Sequence, residues 1–203
     1  MTASTGIVIL AAGESARMGE PKQLLMFRGK TLLHHTIDTA LSISGAPVVV
    51  VLGAHAAQIR TRLDATCVLV EENSDWRDGM GGSVSTGLRV LLTAHPAISA
   101  VIFLVCDQPF LSATTLGVLI ATHQQSGRAI IASEYSGALG VPALFARTMF
   151  PELLALEGNE GARQLIHAHR DQVVGIPFPD GSVDLDTPAD YAAFSENSNA
   201  LSV

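Results

Sequence analysis

The chain is poor in cysteine, aromatics and charge. Of its 203 residues two are cysteines, one is a tryptophan, two are tyrosines, and only 15% are Asp, Glu, Lys or Arg. Two cysteines cannot build the disulfide framework of a small secreted scaffold. Cys67 precedes Val68-Leu69-Val70 and Cys106 follows Phe103-Leu104-Val105, so both read as buried reduced thiols in a reducing compartment. No Cys or His stands at metal-ligand spacing, and the adjacent His34 and His35 would point to different sides of a helix. No apolar run approaches the roughly 20 residues of a membrane span. Met1 to Thr5 is short and polar, and Ile7–Ala12 is too brief for the apolar core of a signal peptide. A cytoplasmic protein with no membrane partner is expected. Cations are also scarce: 12 Lys and Arg against 19 Asp and Glu give a net charge of −7. That balance argues against nucleic acid as a partner, because such binding neutralises phosphates with clustered Lys and Arg. A small anion remains possible, since local cations decide it.

Two familiar phosphate fingerprints are absent as well. A dinucleotide loop needs G-x-G-x-x-G, but Gly13 is followed at the other glycine positions by Ser15 and Met18. Gly29-Lys30-Thr31 supplies the end of a P-loop, yet its first glycine position holds Leu24. Gly29-Lys30-Thr31 instead closes a turn, with Thr31 as N-cap of the next helix.

What is present is apolar and alternating. Apolar residues make up 48% of the chain, enough for a substantial core in one domain spanning 1–203. Short β-branched runs at Ile7–Leu10, Val48–Leu52, Cys67–Val70, Ala100–Val105 and Ala129–Ala132 are almost continuously apolar, as strands buried on both faces are. Helical patterns lie between them, at Thr31–Ser44 (stopped by Gly45), Ser83–Thr93 and Ala113–Gln125. Strand–helix–strand repetition predicts an α/β fold: an open, mostly parallel, doubly wound Rossmann-like sheet with helices on both faces. Ligands of such sheets bind beyond the carboxyl ends of the strands, which singles out Ala11–Lys22, Gly53, Glu71–Ser83 and Asp107–Phe110.

The first of these segments is the most informative. A buried strand empties into Leu10-Ala11-Ala12-Gly13, where a ligand can approach the backbone, and Arg17 and Lys22 follow, with Gly19 and Pro21 shaping the loop. Backbone N–H groups and two cations are what a polyphosphate needs. In the third, Asn73-Ser74-Asp75-Trp76-Arg77-Asp78-Gly79-Met80-Gly81-Gly82-Ser83 sets three glycines beside a helix start, where backbone can meet a ligand. Ser83 reads equally as an N-cap, and Trp76 as a packing anchor. Asp107 stands at a strand end, as a turn residue or as a carboxylate for a nucleotide-bound Mg²⁺. In Asp184-Leu185-Asp186-Thr187-Pro188-Ala189-Asp190, Thr187 reads as N-cap, Pro188 as the first helical residue and Asp190 as a first-turn acid. Asp186 has no such structural explanation.

The pattern Leu-Ala-Ala-Gly-x-Ser-x-Arg-Met-Gly-x-Pro-Lys, as it stands at 10–22, resembles the signature loop of small nucleotidyltransferases that make NDP-linked products. It is closest to the molybdenum cofactor nucleotidyltransferases, and among them to the CTP:molybdopterin cytidylyltransferases. Asn73…Trp76…Gly79-Met80…Ser83…Gly87, Asp107-Gln108-Pro109 and the 184–191 stretch are similar to further motifs of that family, so the likeness runs from about residue 5 to 194. It implies that CMP passes from CTP to the phosphate of a molybdopterin-type acceptor and that pyrophosphate leaves. CTP rather than GTP is implied by Ala12, where GTP-using relatives carry a second glycine. The resemblance also implies Mg²⁺ or Mn²⁺ on Asp107 and Asp186, with Arg17, Lys22 and Asp107 as the reactive groups. Leu10, Ala11, Ala12, Gly13, Lys22, Asn73, Gly79, Gly81, Gly82 and Ser83 would hold the nucleotide in a part covering about 1–133. Gly140, Pro142 and Arg163 would hold the acceptor in a part covering about 134–195, followed by a tail, 196–203.

The acceptor half departs from its relatives. Ala138, Leu139 and Val141 replace polar residues, and Asn159 replaces an acid. Two other readings therefore accompany the first: transfer to another small phosphate such as a sugar phosphate, or a non-catalytic cofactor-binding chaperone for a molybdenum enzyme.

Overall fold

The apolar runs become the strands of one sheet in a computed structural model that describes residues 4–63, 67–183, 185 and 187–200. In chain order the elements are β1 (Thr5–Ala11), β2 (Met26–Phe27), β3 (Lys30–Thr31), α1 (Leu32–Leu41), β4 (Val48–Leu52), α2 (Ala56–Arg60), β5 (Leu69–Glu72) and α3 (Met80–Ala94). They continue with β6 (Ala100–Val105), α4 (Ala113–Ser126), β7 (Ile130–Tyr135), β8 (Ala138–Ala146), α5 (Phe150–Leu154), α6 (Ala162–Ala168), β9 (Val173–Pro177) and α7 (Pro188–Ala200). Seven strands form the sheet in the order β5-β4-β1-β6-β8-β7-β9, and β2 pairs with β3 as a separate small hairpin. The ladders β5–β4, β4–β1, β1–β6 and β7–β9 are parallel; β8 runs antiparallel to both β6 and β7. The sheet is thus mostly parallel, as expected.

Alternation explains the two-sided core. Ile7, Ile9 and Ala11 of β1 face one layer with Leu33 and Ile37 of α1, Ile59 of α2 and Leu116 and Leu119 of α4. Val8 and Leu10 face the other, with Val84, Leu88 and Leu91 of α3, Leu153 of α5 and Ile166 of α6. Ile7, Val8 and Ile9 are all fully buried, and each such side chain contributes about 1.5–3 kcal/mol of burial. A third, smaller cluster of Met18, Leu25, Phe27, Leu32, Leu185 and Phe194 lies apart from these two.

Four local readings need correction. Helix α1 ends at Leu41, with Ser42 as C-cap; Gly45 (φ +75) sits in the turn beyond it, where Ala46 N–H meets Ile43 O at 3.1 Å. β5 begins two residues later than expected and is largely exposed, because it is an edge strand covered on one side only. Cys106 is buried, but Cys67, just before that edge, is exposed. Ser83 is not an N-cap: α3 starts three residues earlier, with Gly79 in the cap position. Thr31 does cap α1, accepting from His34 N–H at 3.2 Å. His34 and His35 turn to different partners, Thr31 and Phe27 O.

Candidate active site

Parallel register puts the ends of β1, β4 and β6 side by side: Ala11 stands beside Leu52, and Leu10 beside Val105. The chain runs from β1 to β4 on one flank, then returns to β6 on the other. The β1–β6 gap is therefore the topological switch point, where open α/β sheets take their ligands. Two cavities open there, of about 590 and 560 Å³, each within the range of a small-molecule site.

The first is the nucleotide side suggested by the sequence. Ala11, Ala12, Gly13, Lys22, Gly79 and Ser83 line it. The second is lined by Tyr135, Ala138, Val141, Ala162 and Arg163, on the side where the sequence reading expects the acceptor. Leu10, Met80, Val105, Asp107 and Asn159 line both. The two cavities thus share a seam, and Asp107 stands on it.

Lys22 Nζ donates to Asp107 Oδ2, joining positions 85 residues apart. The two side chains are 18% and 16% exposed, so the pair is shielded without being sealed from water. Ser15 helps to form the loop: its φ is +58, and Lys22 N–H donates to Ser15 Oγ at 3.1 Å. Gln23 is 1% exposed and gives both amide hydrogens to backbone, to Ala11 O at 3.0 Å and Gly13 O at 3.0 Å. Gln108 repeats this on the acceptor side, donating to Val141 O at 3.0 Å and Gly181 O at 3.3 Å. Among the described residues, the buried side-chain polar atoms without a hydrogen-bond partner are Gln23 Oε1 and Gln108 Oε1, one at each cavity.

Several expected ligand residues are also engaged within the fold itself. Asn73 is buried; its Nδ2 donates to Ser83 Oγ at 3.0 Å and its Oδ1 accepts from Asp75 N–H at 3.1 Å, tying the loop to α3. Gly81 and Gly82 line neither cavity. Gly81 instead binds the acceptor-side loop, its N–H donating to Gly158 O at 3.0 Å. Gly79 has φ +127, and a Cβ there would lie 2.1 Å from Gly158 O, so only glycine lets these loops meet. Gly140 and Pro142 are buried beneath the acceptor cavity; a Cβ on Gly140 would lie 2.5 Å from the Tyr135 hydroxyl and 3.3 Å from Arg163 Nη2. Arg163 itself is exposed at the rim. Arg17 is exposed on the turn after Gly13 and lines neither cavity. Trp76 packs against Gly53 but also lines the nucleotide cavity, with Arg77 Cζ 4.4 Å from its ring centroid. Asp186 lies outside the described residues.

Among the described residues no group of three His, Cys, Asp or Glu is placed to hold a metal. A phosphate-bound Mg²⁺ or Mn²⁺ does not require one, because it takes one or two carboxylates and completes its shell with phosphate oxygens and water. The Asp107 carboxylate, at the seam of both cavities, is a donor of that kind.

Residues 7–173 match the MobA-like NTP transferase domain. The chain belongs to that family. Its similarity to the purine catabolism protein PucB of Bacillus subtilis is 32% identity, covering 91% of this chain and 92% of that one. A nicotine blue oxidoreductase of Paenarthrobacter nicotinovorans is 38% identical over 118 residues, but the match spans only 56% of its length. Rv0371c of Mycobacterium tuberculosis H37Rv has the same fold, with a TM-score of 0.79 at 32% identity, over 96% of this chain and 99% of the other. A structure of that mycobacterial protein in complex with manganese superposes with a TM-score of 0.78 at 29% identity, over 96% and 99% of the two chains. This MobA-like chain therefore carries a nucleotidyltransferase domain on an α/β fold. Among the described residues none of its helices is long and apolar enough to cross a membrane.

The sequence singled out Lys22, Asp107 and the Ala11–Gly13 turn, and the structure brings them together. It also adds Gln23, Tyr135 and Met80. Gln23 carried a signal as a polar side chain set against the apolar Leu24-Leu25, and Met80 stands in the Gly79-Met80 motif, whereas Tyr135 carried none.

Proposed function

We propose that this protein transfers CMP from CTP to the terminal phosphate of a molybdopterin-type acceptor. The observation that supports this most directly is the meeting of two cavities at the Lys22–Asp107 pair. One cavity offers backbone and a cation to a triphosphate. The other offers Arg163 to a phosphate and a largely apolar wall, from Leu10, Val105, Ala138, Val141 and Ala162, to the body of the acceptor. A flat heterocyclic acceptor can lie against that wall while Gln108, Tyr135, Ser136 and Ser182, which also line the cavity, stand near its polar edge.

In the reaction an acceptor phosphate oxygen attacks the α-phosphorus of CTP. A P–O bond forms to the acceptor, the bond to the β-phosphate bridge oxygen breaks, and pyrophosphate carries away the electron pair. The nucleophile is already an anion at neutral pH, so no general base is needed. The task is to hold two anions in line and to stabilise the charge that develops. Lys22 exchanges Asp107 for triphosphate oxygens when CTP enters. The Ala12-Gly13 backbone follows the triphosphate, and Arg163 orients the attacking phosphate through its planar fork. Asp107 would hold Mg²⁺ or Mn²⁺, which supplies charge neutralisation between the phosphates. Asn159 carries no charge at the seam, so it adds no repulsion to the incoming anion.

The test is pyrophosphate release with Mg²⁺, CTP and molybdopterin, run beside GTP and a sugar 1-phosphate. CTP-dependent release with molybdopterin is expected. Faster release with GTP would overturn the base assignment, and release only with the sugar phosphate would overturn the acceptor. CTP binding without release would identify a non-catalytic cofactor carrier.

A further inference from the structure

The two large cores flank the sheet, but Arg17, Lys22 and Asp107 all lie past its strand ends. The small third cluster lies beside them. Met18 follows Arg17, Leu25 is three residues after Lys22, Phe110 is three after Asp107, and Leu185 immediately precedes Asp186. Each proposed reactive group is thus within three residues of a side chain in one small apolar core.

Phe194 of α7 joins this core together. Its ring centroid is 4.8 Å from that of Phe27 and 5.6 Å from that of Phe110, while Phe27 and Phe110 are 6.2 Å apart. The three rings close a triangle at distances typical of tilted and edge-to-face aromatic contact. Tyr191, one turn earlier on the same helix face, donates its hydroxyl to Met26 O at 2.9 Å. The start of α7 is fixed by a reciprocal cap: Thr187 N–H donates to Asp190 Oδ2 at 2.9 Å, and Asp190 N–H donates to Thr187 Oγ1 at 3.2 Å. The helix therefore reaches, through two aromatic side chains, both the segment that follows Lys22 and the segment that follows Asp107. Neither main core includes Phe27, Phe110 or Phe194.

We propose that Phe194 is a positioning residue for nucleotidyl transfer. Its ring, packed against both Phe27 and Phe110, braces their mutual contact and so the Lys22 and Asp107 loops, with α7 acting as a clasp that closes the reaction centre from outside the sheet. The kinetic arm of the test rests on the nucleotidyl-transfer reading above; the exchange arm does not. Amide hydrogen exchange is measured on ligand-free protein carrying Phe194→Ala or Phe194→Leu. The alanine variant is expected to exchange faster at 15–27 and 107–111, two segments remote in sequence, while β1, β4 and β6 stay protected. The leucine variant restores most of that protection. In pyrophosphate release the alanine variant loses about 10–100-fold in kcat, since displacing a reactive group by about 1 Å costs on that order, with a smaller change in KM for the nucleotide. Faster exchange confined to α7 would overturn the proposal. So would loss of protection across the whole sheet, which would mean that Phe194 serves stability alone. If the unsubstituted protein releases no pyrophosphate with any nucleotide, the reaction is misassigned, and the exchange result still decides the clasp.

Discussion

Removing the charges of Lys22 and Asp107 singly and together tests whether the two halves of the site are coupled in the resting protein. At about 4 Å and an effective dielectric near 20, opposite unit charges attract by about 4 kcal/mol. Side chains 18% and 16% exposed sit between the surface case, worth at most about 1 kcal/mol, and the buried case, where desolvation cancels most of the attraction. A net coupling of about 1–2 kcal/mol follows. Lys22→Ala leaves the Asp107 carboxylate in a half-shielded cleft without that counter-ion, and Asp107→Ala does the reverse to Lys22. The double variant leaves neither charge. Each single variant should therefore lose stability, and the double variant should lose about 1–2 kcal/mol less than the sum of the singles. In a chain of this length 1 kcal/mol shifts Tm by about 2–4 °C, so the non-additivity is resolvable by calorimetry. Pyrophosphate release behaves differently: either single substitution should cost about 100-fold or more, as loss of one preorganised electrostatic contact does, and the double variant should fall little further. Additive stability losses to within about 0.3–0.5 kcal/mol would refute the pairing. Near-normal turnover in either single variant would refute the roles of both residues.

Three further substitutions separate the parts of the site. Gly79→Ala must fit a Cβ 2.1 Å from Gly158 O at φ +127; a loss of about 2–4 kcal/mol is expected in denaturant unfolding, and an unchanged midpoint would show that the 157–159 loop moves freely away. Gln23→Leu leaves Ala11 O and Gly13 O without their amide donor, at about 1–3 kcal/mol for the buried Ala11 acceptor and less for Gly13 O, which lies on an exposed residue; it should raise KM for CTP while leaving KM for the acceptor within about twofold, and a uniform loss of stability at normal KM would count against it. Arg163→Ala should raise the acceptor KM and spare the CTP KM, and the opposite split would exchange the identities of the two cavities.

The parts of the fold legible in the sequence are those where burial overrides everything else. Val48–Leu52 and Ala100–Val105 have the same bounds in the sheet as in the apolar pattern, because strands covered on both faces tolerate nothing polar. The edge strand β5, exposed at Leu69, Glu71 and Glu72, carries no such pattern and was displaced by two residues. β8 was hidden for another reason: Gly140 and Pro142 break a run that becomes a strand only because β6 and β7 flank it. Asn73 illustrates the corresponding limit for the site. A polar residue beside three glycines looks like a ligand, but nothing local shows that Ser83 and the Asp75 backbone will consume both ends of its amide. The aromatic triangle is a purely tertiary fact, since Phe27, Phe110 and Phe194 are scattered over 168 residues of chain.

Under the proposed reaction, a chain with net charge −7 takes up a tetra-anion and must remove repulsion as well as supply cations. Backbone carbonyl oxygens are the nearest source of that repulsion in a loop that wraps phosphate. Gln23 addresses it directly: it donates to Ala11 O and Gly13 O, while Ala54 N–H takes the Ala12 O between them at 3.0 Å, so all three carbonyl oxygens of the turn are engaged. Gln108 does the same for Val141 O and Gly181 O at the acceptor wall. A Lys or Arg in either place would donate as well, but it would introduce a buried cation with its own desolvation cost. A Glu could not donate and would add a charge of the wrong sign. Glutamine is the long neutral side chain with two donors on one atom, and at both places the two donors go to backbone carbonyl oxygens.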